Sequence, residues 1–218
     1  MPDSRHHLGD PVTAADVEQI VTLALAAIRT AAAPDWQARA GTLDWDCWET
    51  VEHMSDDLFA YAAQLGPRRP PLSEPVPFAC DSRRPGGPVG AISADRAAGG
   101  AGLLQVFEAT GALLMTMVAA PAPYAGDHKP FGVADSNAFA AAMGVAEVLL
   151  HTRDVTQGLG VTWSPPDQLC RRVLDRLFPD APDDTEPWPT LLWATGRADL
   201  PGHPAVTSWR WYAGPPGG

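Results

Sequence analysis

Met143-Gly144-Val145-Ala146-Glu147-Val148-Leu149-Leu150-His151-Thr152-Arg153-Asp154 is the stretch on which the fold turns. It lies inside a helical pattern that Asp135 or Ser136 can cap, that carries Phe139, Met143, Ala146, Val148, Leu149, Leu150 and Val155, and that leads to Gly158, where a left-handed stop is expected. Glu147 and His151 are four residues apart, so on a helix they share one face with Cβ atoms roughly 5 to 6 Å apart. One cation can touch both. The same spacing also arises by chance on exposed helix faces, so the pair needs a partner elsewhere in the chain.

Working towards the N-terminus, Asp46 followed by Glu49 signals a helix start, and Val51, Met54, Leu58, Tyr61 and Leu65 form an apolar stripe ending at Gly66 and Pro67. His53 lies beside that stripe. It supplies a third ligand if the two helices pack side by side; alone, it also fits a hydrogen-bonded core histidine. Two imidazoles and a carboxylate suit zinc above all, and also nickel, iron(II) or manganese, with a coordination position left for substrate or water.

Two further long helices complete the set. Thr13 and Asp16 open one over about Ala14 to Ala32, with Val17, Ile20, Val21, Leu25 and Ile28 at helical spacing. Another, about Gly102 to Ala119, carries Leu103, Leu104, Phe107, Leu113, Leu114 and Met117 and stops before Pro121 and Pro123. Residues 66 to 100 are rich in Pro, Gly and Arg and read as a long crossover, and 120 to 134 as a second loop. The expected fold is therefore all-α: a four-helix bundle over 1–160, its second and third helices parallel, with a helical extension and tail over 161–218. That extension should hold short helices at Pro166 to Phe178 and Trp188 to Thr195, and a short extended piece at Val206 to Trp211.

Composition sets limits on the function. The chain has 218 residues, 45% of them hydrophobic, yet apolar stretches fall short of the roughly 18 residues of a membrane span. Met1 to Asp10 is polar and lacks the apolar core of a secretory signal, which points to the cytoplasm. Cys47, Cys80 and Cys170 are too few and too scattered for a disulfide framework. A formal charge of -11 disfavours nucleic acid as a partner. No zincin motif, nucleophile elbow, P-loop or dinucleotide fingerprint occurs.

Three segments together resemble a known family. They are Trp45-Asp46-Cys47-Trp48-Glu49-Thr50-Val51-Glu52-His53, the stretch Met143 to Asp154, and Leu192-Trp193-Ala194-Thr195-Gly196-Arg197. They are similar to segments of the actinobacterial branch of the DinB/YfiT-like superfamily, the mycothiol-dependent maleylpyruvate isomerase N-terminal, metal-binding family, over about residues 13 to 200. The resemblance implies a DinB-like metal-binding bundle with His53, Glu147 and His151 as ligands, and mycothiol or another low-molecular-weight thiol as co-substrate. Such a thiol, deprotonated at the metal, attacks a small electrophilic substrate. The family's isomerase has a further C-terminal domain, whereas this sequence ends soon after Arg197, so maleylpyruvate itself is not the expected substrate.

Other residues carry weaker expectations. Arg197 can bind a substrate carboxylate, or serve as a cap or surface ion pair. Asp57 and Asp154 lie about one turn from His53 and His151, where each can orient an imidazole or simply be solvated. Cys47, near a helix start, is either an activated thiol or a small buried hydrophobe. His128 is a pocket-rim or surface histidine. A metal-dependent hydrolase or lyase without thiol, and a non-catalytic bundle that binds a small molecule or protein, stay open, as does a homodimer.

Overall fold

The computed structural model describes residues 10–72, 74–124 and 128–213. These residues form an all-helical chain: α1 (Ala14–Ile28), α2 (Cys47–Gln64), α3 (Gly99–Ala119), α4 (Ser136–Gly158), α5 (Asp167–Leu177) and α6 (Pro187–Ala194). No strand occurs among them. The expected extended piece at Val206 to Trp211 is irregular chain.

The start signals act through capping boxes. Thr13 Oγ1 accepts from the Asp16 N–H while Asp16 Oδ2 accepts from the Thr13 N–H, and Asp46 and Glu49 reciprocate in the same way at 2.7 and 3.1 Å. α1 ends at Ile28, short of Ala32, where the Thr30 hydroxyl takes the Ala27 carbonyl at 2.6 Å and competes with the helical ladder. α3 begins at Gly99, earlier than Gly102, because Asp95 caps a 3-10 turn over Arg96–Ala98 that runs straight into it. At α4 neither expected cap operates. Asp135 is held by Arg176 at 2.8 and 3.1 Å, and the Ser136 hydroxyl donates to the Pro130 and Val133 carbonyls.

α4 is buried around nearly its whole circumference, including Val145, Ala146, Val148, Leu149 and Leu150. A helix apolar on all sides must be enclosed, and α1, α2, α3 and α5 all pack against it. Arg96 lies over the Trp48 ring at one end of α2, and Met117 lies near Gly66 beyond the other, so α2 and α3 run in the same direction. Cys47 meets Val155 and Leu58 approaches Gly144, so α2 and α4 are antiparallel. Leu174 of α5 and Leu191 of α6 join the same hydrophobic core. Arg96–Ala119 is long and apolar enough to cross a membrane by length and composition, with 33% of its most apolar window buried; its Leu103, Phe107 and Leu114 lie in this core.

Polar side chains of α2 hold the crossover. Gln64 donates to the Pro71 and Glu74 carbonyls and accepts from the Val76 N–H. Asp56 Oδ1 accepts from Ala91 and Ile92 at 2.7 and 2.9 Å, and Glu52 from Ala94 at 3.0 Å. Arg84 forks onto both Glu49 oxygens at 2.6 Å and reaches the Asp44 carbonyl at 2.8 Å. On the other side of α2's start, Gly158 lets the preceding loop approach: a Cβ there would lie 2.5 Å from the Arg39 carbonyl oxygen and from Cys47 Sγ. Gly158→Ala should therefore destabilise the fold by about 1–3 kcal/mol through overpacking against backbone. Urea denaturation reads this as a lowered midpoint, and an unchanged midpoint would contradict the close approach.

Candidate metal centre

Two helical stripes face one another across the α2/α4 interface. On α2, His53, Asp57 and Tyr61 follow at successive intervals of four; on α4, Glu147, His151 and Asp154 do so at four and three. Each stripe is the ordinary consequence of helical periodicity. Antiparallel packing brings them together.

One potential ligand atom from each of His53, Glu147 and His151 lies within 4.8 Å of the others. The two imidazoles are 5.1 Å apart, centre to centre. Glu147 and His151 are buried, while His53 retains some exposure. Glu147 Oε2 is 3.2 Å from His151 Nε2, and the Tyr61 hydroxyl donates to Glu147 Oε1 at 3.4 Å. The other His151 nitrogen, Nδ1, lies 3.2 Å from Asp154 Oδ2, at ion-pair distance but outside hydrogen-bond geometry. His53 Nε2 faces Asp57 at 3.2 Å, and its Nδ1 is buried without a hydrogen-bond partner among the described residues. Two imidazoles and a buried carboxylate gathered this closely are a donor set suited to a divalent cation.

Arg197 reaches this seam from beyond α6. Its guanidinium donates to Asp154 Oδ2 through Nη2 at 3.2 Å and Nε at 3.4 Å, so the nearest partner is a carboxylate of the protein itself. Trp45 walls the cluster on another side, its ring 4.7 Å from His53 and 6.2 Å from His151, with Nε1 donating to the Gly86 carbonyl at 3.1 Å. Asp57 and Asp154 thus stand where imidazole-orienting carboxylates were anticipated. Tyr61, a member of the apolar stripe of α2, also joins the cluster through Glu147, as its place four residues after Asp57 allows. Cys47 is fully buried, and burial, reinforced by Asp46, pushes its thiol up to about 12, against activation by the helix start. His128 is exposed and is not part of the cluster.

The two histidines are driven apart electrostatically. Burial, together with the neighbouring His151 charge, lowers His53 to about 4. Burial also works against charge on His151, but Asp154 and Glu147 outweigh it and lift His151 to about 9. Glu147 is desolvated as well, yet His151 holds it below the usual carboxylate range. Asp57 is raised well above it by burial and by the Glu147 charge.

No family model matches the chain, no curated protein matches it, and no solved structure matches it.

In metal-free protein, imidazole NMR signals should titrate near 9 for His151 and near 4 for His53. His151, raised when folded, contributes stability that is full below about 6.5 and lost as pH rises through about 9. His53, lowered when folded, contributes stability present above about 6.5 and lost as pH falls towards 4. Asp154→Asn should lower the His151 value; an unmoved titration would remove Asp154 from this role.

Proposed function

We propose that the chain is a metal-dependent enzyme of the low-molecular-weight thiol S-transferase or isomerase type, built on the DinB-like four-helix bundle that its sequence resembles. The observation that carries this is the convergence of His53, Glu147 and His151 from two helices onto one point. Zinc is the foremost candidate for that point, with nickel, iron(II) and manganese compatible with the same donors. A divalent cation held there supplies Lewis acidity, lowering the pKa of a thiol such as mycothiol so that it is nucleophilic at neutral pH. The substrate is a small electrophile with an activated double bond or an epoxide. A cytoplasmic setting, where thiols stay reduced, accords with three free cysteines.

The chain's own residues prepare the site. Asp57 and Asp154 orient the two imidazoles, each from one turn away on the same helix. Arg197 offsets the Asp154 charge, so it acts here as a positioning residue. Tyr61 restrains Glu147, and Trp45 excludes water from one side of the imidazoles.

Elemental analysis of untagged protein should find about one metal per chain, and at least about tenfold less in His53→Ala and His151→Ala that remain folded. Negligible metal in all three, persisting after incubation with each candidate cation, overturns the proposal. Turnover of electrophiles should require metal and thiol together; metal-dependent turnover without thiol would make the protein a hydrolase or lyase. At pH 7 His53 is neutral and Glu147 ionised, whereas His151 carries a proton. Zinc binding should therefore release about one proton per chain, read by calorimetry in buffers of different ionisation enthalpy. Zero would contradict His151 as a ligand, since its proton must leave for the nitrogen to coordinate.

A further inference from the structure

A separate concavity of about 390 Å³ opens between the ends of α5 and α6 and the last described segment, lined by Phe178, Asp180, Trp193, Trp209, Arg210 and Tyr212 among others. None of these belongs to the α2/α4 seam. The volume falls within the roughly 300–1,000 Å³ of small-molecule sites.

Its aromatic walls are tethered. Trp193 Nε1 donates to the Pro204 carbonyl at 2.8 Å. The Tyr212 hydroxyl donates to Asp180 Oδ2 at 2.7 Å, its backbone N–H donates to the Leu177 carbonyl, and its own carbonyl accepts from Arg176. The Trp209 ring lies 5.3 Å from Trp211 and 6.3 Å from Phe178. Despite these tethers, Trp209 and Tyr212 remain 41% and 37% exposed. Partly exposed aromatic rings gathered in one concavity, with Trp193 and Tyr212 held by hydrogen bonds, offer apolar surface to a flat ligand at little ordering cost.

Charge narrows the class. Asp180 is engaged by the Tyr212 hydroxyl. The Arg210 guanidinium stands 5.4 Å from the centre of the Tyr212 ring and has no carboxylate at ion-pair distance among the described residues. A guanidinium that lies over the Tyr212 ring and has no carboxylate partner among the described residues matches a carboxylate joined to a planar ring, since its paired N–H groups bind such an anion bidentately.

We propose that this concavity is a binding site for a planar aromatic small molecule carrying one carboxylate-type anion, its ring on Trp193 and Trp209 and its anion on Arg210.

Calorimetric titration of the full chain with 2-naphthoate and its neutral amide, 2-naphthamide, tests this. Arg210→Gln should weaken 2-naphthoate about tenfold or more, the loss of one charge-assisted pair, and leave 2-naphthamide unchanged. Trp209→Ala should weaken both compounds, and His53→Ala should change neither. Arg210 and Trp209 are exposed, so both variants should keep the native circular dichroism spectrum and melting transition. No 2-naphthoate binding at millimolar concentration would overturn the proposal. So would equal affinity in wild type and Arg210→Gln, or binding abolished by His53→Ala, which would move the ligand to the α2/α4 seam.

Discussion

Ionisable side chains facing one another across a helix interface can be buried only if each is compensated, because an isolated charge in the protein interior costs several kcal/mol even after relaxation. The α2/α4 seam meets this requirement in layers. Glu147 and Asp154 flank His151, Arg197 neutralises Asp154 from outside, and His53 gives up its charge altogether. Removing any one group leaves another exposed to the cost of desolvation. The last turn of α4 and the residues after α6 are thereby tied to the same electrostatic arrangement, although Asp154 and Arg197 are far apart in sequence.

The surrounding architecture keeps this seam closed. α4 packs against four other helices, and Trp45 covers one side of its polar stripe, its ring close to both His53 and His151. Trp45 belongs to the loop before α2, yet its indole is fixed by Gly86 in the crossover. Arg84 joins the same two segments through Glu49 and the Asp44 carbonyl. Loop, crossover and helix start therefore form a single wall.

Much of this was legible in the sequence, and for identifiable reasons. Helix positions follow from periodic apolar residues, and the starts at Thr13 and Asp46 follow from capping boxes, all of which are local patterns. Glu147 and His151 were visible as a pair because helical spacing is local too. His53 needed the interhelical packing before its role had any content. Long-range polar contacts left no such trace: nothing near Asp135 announces Arg176, and nothing near Asp154 announces Arg197. Asp135 looked like a helix cap because caps are the commonest use of that residue there, and tertiary pairing overrode the local preference. At Cys47 the sequence left two readings, an activated thiol at a helix start and a small buried hydrophobe, and complete burial selects the second.

The anchoring of the crossover has a consequence for how this chain can vary. A flexible loop costs entropy that grows only slowly with length, on the order of 0.6 kcal/mol for each doubling, so length alone places little constraint on the segment between α2 and α3. The constraint lies at the tie points, where Gln64 grips Pro71, Glu74 and Val76, Glu49 grips Arg84, Asp56 grips Ala91 and Ile92, and Glu52 grips Ala94. Between ties the segment is held further by the Asp81 and Gly90 backbones, which exchange hydrogen bonds at 3.1 and 3.0 Å, and by Phe78, whose ring lies 5.1 Å from that of Phe59. Length can therefore vary only away from these anchored residues, and a single residue added between Arg84 and Gly86 would shift the indole that roofs the histidines.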